Sequence, residues 1–252
     1  MVGKNAKTVS LKQKFTTDTN GESDGDESAS GVLIDEKSPD WVGAMDAAKN
    51  TGKLVVVAGL GDLATSAWFS YHEKAEDGTW HMWLTTPAFI GKNGLGKTKE
   101  GDSMTPVGEF KFNRAFGIAD DPGCAIPYTK VTADHYWSGD PNYHYNELVD
   151  IKDYPELAME DSEHIIDYTY HYQYCLNISF NAEGKPGLGS AIFLHCFGPV
   201  KPFTGGCVAI PEAYMKQFMQ IVDEDTVIVI DSAEKLFNDE WPGSLWPINP
   251  NA

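Results

Sequence analysis

Short apolar runs rich in β-branched and aromatic residues constrain the fold of this chain more than any other feature. LVVVAGL from Leu54, AWFSYHEK from Ala67, TWHMWLTT from Thr79, VGEFKF from Val107, AIFLH from Ala191 and TVIVI from Thr226 are each too short for a helix of ordinary length. They predict strands, with a turn at Asp77 and Gly78 joining the second to the third. In YTYHYQYCLNISF, Tyr168 to Phe180, the even positions are Tyr, Leu, Ile or Phe and most of the odd positions are polar, which predicts one long strand with a buried face. Helical signals are few. Ser38 and Pro39 form an N-cap and first-turn pair ahead of Trp41, Met45 and Ala48, and a second helix starts at Pro211 with Tyr214, Phe218 and Ile221 on one side. Without a regular βαβ alternation or an internal repeat, the expected class is mainly β with α (α+β): a β-sandwich or mixed sheet with a few packed helices.

The chain has 252 residues with 42% apolar content, enough for one sizeable core. Residues 1–37 read as an acidic disordered tail or linker, because Thr16 to Gly31, TTDTNGESDGDESASG, has almost nothing to bury. Residues 38–252 read as a single catalytic-size domain, with the turn-rich, aromatic segment 120–165 as a lid or insertion. A secretion signal or lipid anchor is expected to have preceded the tail. No run of 18 apolar residues exists, so no membrane span is expected.

The balance of 19 basic against 37 acidic residues gives a net charge of -18, which opposes binding to phosphate backbones and excludes nucleic acid as an expected partner. Arg114 is the sole arginine, so bidentate grip of a carboxylate falls to it or to nothing. GKNGLGKT, Gly91 to Thr98, satisfies the pattern of a phosphate-binding loop, but Gly101, Pro106 and Gly108 follow where that loop needs a helix. It reads as a glycine-rich connection. His164 and His171, with Asp161, Glu163 and Asp167 nearby, lack the three- or four-residue spacing of ligands on one helix face, and no metal site is expected.

One stretch carries chemistry. In FLHCFGPVKPFTGGCVAIPE, Phe193 to Glu212, His195 ends an apolar run and Cys207 begins the next. A cysteine nucleophile needs a neighbouring base, and the glycines and prolines between these two residues fold the chain back on itself. Gly205 and Gly206 permit positive φ, so that backbone N–H groups near Cys207 can converge on an oxyanion. The alternative is a small buried thiol and a satisfied strand-end histidine.

HCFGPVKPFTGGCVAI resembles the signature of the L,D-transpeptidase catalytic (YkuD) domain, with Thr204, Gly206 and Cys207 at its Ser, Gly and Cys positions. GDSMTPVGEF, Gly101 to Phe110, is similar to the family's T-P-x-G-x-F block. The resemblance implies that Cys207 is the nucleophile, His195 its base, and the N–H groups of Gly206 and Cys207 the oxyanion donors. It implies a thioester on a peptidoglycan tetrapeptide stem, resolved by a neighbouring stem's amine (3→3 cross-linking) or by water (carboxypeptidase). It also implies covalent inhibition by carbapenems, location outside the cell at the wall, and no metal or organic cofactor. Thr204, Gly205, His164 and Arg114 are the expected substrate-binding residues. Ala209 stands where many members carry Arg, which leaves a non-catalytic wall-peptide-binding domain as a further alternative, with Arg114 or Lys201 as replacement cations. Cys196 replaces the usual glycine after the histidine, and a Cys196–Cys207 disulfide would switch such an enzyme off.

Overall fold

The computed structural model describes residues 33–61 and 63–237. Most of the expected 1–37 tail therefore lies outside the described residues. Its last residues are paired: Ile34 N–H donates to Trp83 O at 2.9 Å, and Glu36–Lys37 form β1. The remaining strands are β2 (Lys53–Gly59), β3 (Ser66–Lys74), β4 (Trp80–Phe89), β5 (Gly108–Gly117), β6 (Tyr128–Lys130), β7 (His135–Trp137), β8 (Leu148–Asp150), β9 (Glu163–His164), β10 (Cys175–Ile178), β11 (Phe193–Cys196), β12 (Val208–Ile210) and β13 (Val227–Ser232). The α-helices are α1 (Asp40–Ala44), α2 (Glu212–Ile221) and α3 (Ala233–Phe237). The expected mainly β class with a few packed helices is the observed one. No helix among the described residues is long and apolar enough to cross a membrane.

The principal sheet runs β1-β4-β12-β11-β10-β5-β13-β2-β3, and because β3 also pairs with β4 along Ser66–Lys74, the row of strands closes on itself. Closure from β4 round to β3 removes the free edges of those strands, with β1 and β6 added outside the ring on β4 and β5. β2 is apolar along its length because both of its faces are covered. Leu54 and Val56 pack with Val42, Ala47 and Ala48 of the α1 region, while α2 brings Phe218 edge-on to Phe69, Tyr71 and Phe112 at 5.4, 5.4 and 5.7 Å.

Two local expectations fail for identifiable reasons. Ser38 does not cap α1; its hydroxyl lies 2.8 Å from Nδ1 of buried His72, whose Nε2 meets Ser70 Oγ at 2.9 Å. Tyr168 to Phe180 is not one strand. Only Cys175–Ile178 pairs as β10; upstream, His171 and Tyr172 N–H both return to Tyr168 O, and the Tyr168 and Tyr172 rings stack at 4.6 Å. An i,i+4 turn contact has won over the alternating pattern, leaving Tyr170 63% exposed.

Segment 120–165 contains a small sheet of its own, β8-β7-β9, laid against the principal one. Trp137 of β7 stacks on Phe116 at 5.6 Å and meets Phe193 edge-on at 4.7 Å. These rings share a buried cluster with Tyr172, Cys175 and Cys207, so the small sheet forms one wall of the space above β11 and β12.

Candidate active site

Strands β11 and β12 run parallel, with Leu194 opposite Val208 and His195 opposite Ala209. Alternation then puts Phe193, His195, Ala209 and the residue just before β12, Cys207, on one face, and Cys196 on the other. Both His195 and Cys207 open into a cavity of about 1050 Å3. The turn-rich loop does return the thiol to the histidine's side of the sheet, as its residues predict. The two thiols meant for a disulfide are free and point to opposite faces, Cys196 toward Tyr174 O at 3.8 Å, so a Cys196–Cys207 bridge does not fit this geometry.

His195 Nδ1 lies 2.8 Å from the carbonyl oxygen of Cys196. A carbonyl only accepts, so Nδ1 carries the proton and Nε2 presents its lone pair. Burial pulls the imidazole pKa down to about 4, and His171 adds to the fall while the bond to Cys196 opposes it. Burial pushes the Cys207 thiol up to about 12, reinforced by the charge of Glu163 and opposed by the Phe193 N–H and by Lys97. The resting pair is therefore a neutral thiol and a neutral imidazole.

The sulfur is held from two sides. Phe193 N–H donates to Sγ at 3.3 Å, and the thiol donates to Ala191 O at 3.1 Å. Ala191 has φ +55, a left-handed conformation that its neighbours must impose. Asn146 imposes it: its Oδ1 accepts from Ala191 N–H at 3.0 Å and from Trp137 Nε1 at 2.9 Å, and its Nδ2 donates to Phe180 and Asn181 carbonyls.

The turn before Cys207 is braced as well. Thr204 Oγ1 donates to Cys207 O at 2.7 Å and accepts from Gly206 N–H at 3.1 Å. This corrects one expectation, since the Gly206 amide is committed to Thr204 and does not face the cavity as an oxyanion donor. Gly206 is needed for another reason. Its φ is +142, and a Cβ there would stand 2.8 Å from Met104 O. Gly205 is not among the positive-φ glycines, so only one of the two supplies the turn.

Thr204 and Gly205 line the cavity; His164 and Arg114 do not. His164 is spent on Asp167 (3.0 Å), Ala133 O (2.8 Å) and the ring of Tyr136 (4.4 Å). Arg114 sits exposed on β5, opposite Asn177 of β10. Lys201 does line the cavity, together with Lys92. Lys97, from the refused phosphate-loop pattern, is buried there in an ion pair with Asp102 at 2.9 Å. No helix follows; instead Asp102 ties the loop by accepting from Thr98, Lys99 and Met104 N–H groups.

Three cavity residues have no clear sequence signal. His171 lies edge-on to His195 at 5.9 Å, and its carbonyl accepts from Cys196 N–H. Tyr172 lies edge-on to His195 at 5.4 Å and donates its hydroxyl to Glu163 Oε2 at 2.8 Å. Burial raises the Glu163 carboxyl to about 7, with Glu100 adding to the rise and the Tyr172 hydrogen bond opposing it. Segment 163–172 carried charges and aromatics in the sequence, but nothing in their spacing pointed to the thiol.

The family model described as L,D-transpeptidase catalytic domain (YkuD) matches residues 67–230. No curated protein matches the chain. Among solved structures it is similar to the helical cell shape determining protein Pgp2 from Campylobacter jejuni, at 16% identity over 82% of this chain and 52% of that one, with a TM-score of 0.40. It is also similar to an L,D-transpeptidase from Stackebrandtia nassauensis (14% identity, 72% of this chain and 56% of that one, TM-score 0.31). An Enterococcus faecium L,D-transpeptidase mutant gives 14% identity over 72% of this chain and 50% of that one, with a TM-score of 0.31. The chain spans roughly half the length of these solved proteins.

Proposed function

Because this chain belongs to the L,D-transpeptidase catalytic-domain (YkuD) family, we propose that it carries out acyl transfer through Cys207 on peptidoglycan stem peptides, outside the cytoplasm at the cell wall. The observation that carries the reading is that Cys207 and His195 share one face of β11 and β12, with the His195 tautomer fixed so that Nε2 is basic.

In this reading the stem peptide enters the cavity and the thiol leaves Ala191 O for the imidazole. His195 Nε2 takes the thiol proton as sulfur attacks the carbonyl carbon before the terminal residue. The neutral resting pair makes this a proton transfer coupled to attack, not the discharge of a stored thiolate. The Cys207 N–H remains at the turn as the donor for the developing oxyanion, since Gly206 N–H is taken. When the tetrahedral species collapses, the C–N bond breaks and His195 returns its proton to the departing amine. A thioester is left on Cys207. An acceptor amine then forms a new amide and releases the sulfur; water in its place gives hydrolysis. Ala209, opposite His195, offers no charge, so Lys92 and Lys201 on the cavity wall are the groups for the substrate carboxylate.

A carbapenem tests the reading. Intact mass spectrometry should find one covalent adduct on Cys207 and none on Cys207→Ala; an unmodified parent protein would reduce the chain to a binding domain. Products from a tetrapeptide alone and with an acceptor stem then separate transfer from hydrolysis.

A further inference from the structure

Among the described residues, Glu163 is a carboxylate without a cation. It enters the cavity from β9, where Trp137 of β7 is its strand partner, and its hydrogen bond comes from the neutral hydroxyl of Tyr172. The charged and titratable groups around it are Glu100 from the loop before β5, Tyr168 and Tyr172 from the turn before β10, Cys175 of β10, and Cys207. None of these is a cation. The Glu100 carboxylate likewise meets no cation among the described residues: it accepts from the hydroxyls of Tyr145 and Ser190 and from Gly101 N–H. Asp161 lines the same wall, and Lys97, the cation on that side, is engaged by Asp102. Lys92 and Lys201, which form no ion pair among the described residues, stand with Phe203 and Thr204 on the loop side. Cys207 thus has an anionic wall and a cationic wall.

His195 has a complete task in the first half-reaction, since the proton it takes from sulfur goes to the leaving amine. The second half-reaction brings a different difficulty. An aliphatic amine arrives protonated at neutral pH, and an ammonium group has no lone pair with which to attack. Resting on the transferase reading above, we propose that Glu163 binds the cationic acceptor amine and takes its proton before the nitrogen attacks the thioester on Cys207. Glu163 carboxylate and the ammonium become carboxylic acid and free amine. The nitrogen adds to the thioester carbon, and His195 removes the second proton from the added nitrogen. The C–S bond breaks, and sulfur regains that proton from His195. One proton remains on Glu163 and passes to solvent.

The position of Glu163 helps twice. A carboxylate raised toward neutrality is a competent proton acceptor near pH 7, and its neutralisation removes the negative charge that opposes Cys207 leaving as a thiolate. The inferred substrate class for the second site is therefore a primary alkyl ammonium, such as the side-chain amine of a stem peptide.

Glu163→Gln tests this in the full chain, because the amide oxygen can still accept from Tyr172. The readout is the ratio of transfer to acyl-enzyme formation, followed by mass spectrometry with a tetrapeptide donor. With a cationic acceptor stem the ratio should fall at least ~10²-fold and its pH limb should move toward the amine's own pKa. With hydroxylamine, largely uncharged at neutral pH, the ratio should not fall below that of the parent and should rise where the lost charge eases departure of the Cys207 thiolate, and Glu163→Asp should recover part of the stem transfer. An unchanged ratio with the stem overturns the assignment; so does an equal fall with hydroxylamine, or a parent that hydrolyses its acyl-enzyme without transfer. A parent that forms no acyl-enzyme overturns the transferase reading and this assignment with it.

Discussion

Thr105 and Thr204, from two distant blocks of the matched region, place their hydroxyls on the same atom: both donate to the carbonyl oxygen of Cys207, at 3.3 and 2.7 Å. Thr105 also accepts from Gly91 N–H at 2.8 Å. The T-P-x-G-x-F block and the loop before the thiol are thus joined through one oxygen, and neither threonine needs to touch substrate to matter. Thr105→Val and Thr204→Val should each lower stability by about 1 kcal/mol, read from denaturant midpoints. Carbapenem acylation should slow more for Thr204→Val, which also frees Gly206 N–H. Equal acylation rates in all three proteins would separate these contacts from catalysis.

A neutral thiol beside a neutral imidazole should react sluggishly with a reagent that makes no use of the site. The Cys207 pKa is raised, so the thiolate fraction grows as pH rises toward about 12. Alkylation of Cys207 by iodoacetamide should be more than ~10-fold slower than that of a small free thiol at pH 7, then climb about 10-fold per pH unit without a plateau below pH 10. Glu163→Gln should accelerate it by removing a negative charge. A plateau near neutrality would instead indicate a preformed thiolate and imidazolium. Peptide mapping is needed for the measurement, because Cys124 is only partly buried.

The Lys97–Asp102 pair has side chains only 2% and 6% exposed. Burial alone would raise the Asp102 pKa, but hydrogen bonds from Thr98 N–H, from Lys97 and from the Lys99 and Met104 amides bring it down to about 2. A depressed folded-state pKa means that this contribution is full above the ordinary carboxylate pKa and disappears as pH falls through about 2. Asp102→Asn should cost about 3–5 kcal/mol at pH 7, because Lys97 would keep a buried charge without a counterion. The deficit relative to the parent should shrink at low pH, where the parent's carboxylate is also neutralised. A constant deficit across pH, measured by thermal or urea unfolding, would contradict the assignment.

The sequence was most legible where one physical rule acted alone. β2, β3, β4, β5 and β13 follow from their β-branched and aromatic content, and the turn at Asp77 and Gly78 joins β3 to β4. A turn-rich loop between two apolar runs can hardly avoid returning, which is why the sequence points to His195 and Cys207 sharing one face. The reading of Tyr168 to Phe180 failed where two rules competed, since alternating aromatics fit a strand but Tyr168 and Tyr172 stack in a turn. Residue type points to His164 in the cleft, yet Glu163, the residue before it, has that position. In the two-residue strand β9 a shift of one decides which side chain enters the cavity, and no periodicity can be read from so short an element. Glu163 and Asn146 matter through contacts with distant segments, which local spacing does not encode.

Parallel neighbours such as β11 and β12 cannot be linked by a tight hairpin, so the chain must climb off the sheet and travel back before the second strand begins. Here the return path is itself part of the cavity lining, through Gly198, Val200, Lys201, Phe203 and Thr204. Reach and recognition are thereby written into the same stretch but at different letters. Its span is dictated by strand direction, whereas Val200, Lys201 and Phe203 make none of the hydrogen bonds that hold the sulfur and its turn. In the proposed reaction, what the cavity accepts can change while His195 and Cys207 stay where the sheet put them.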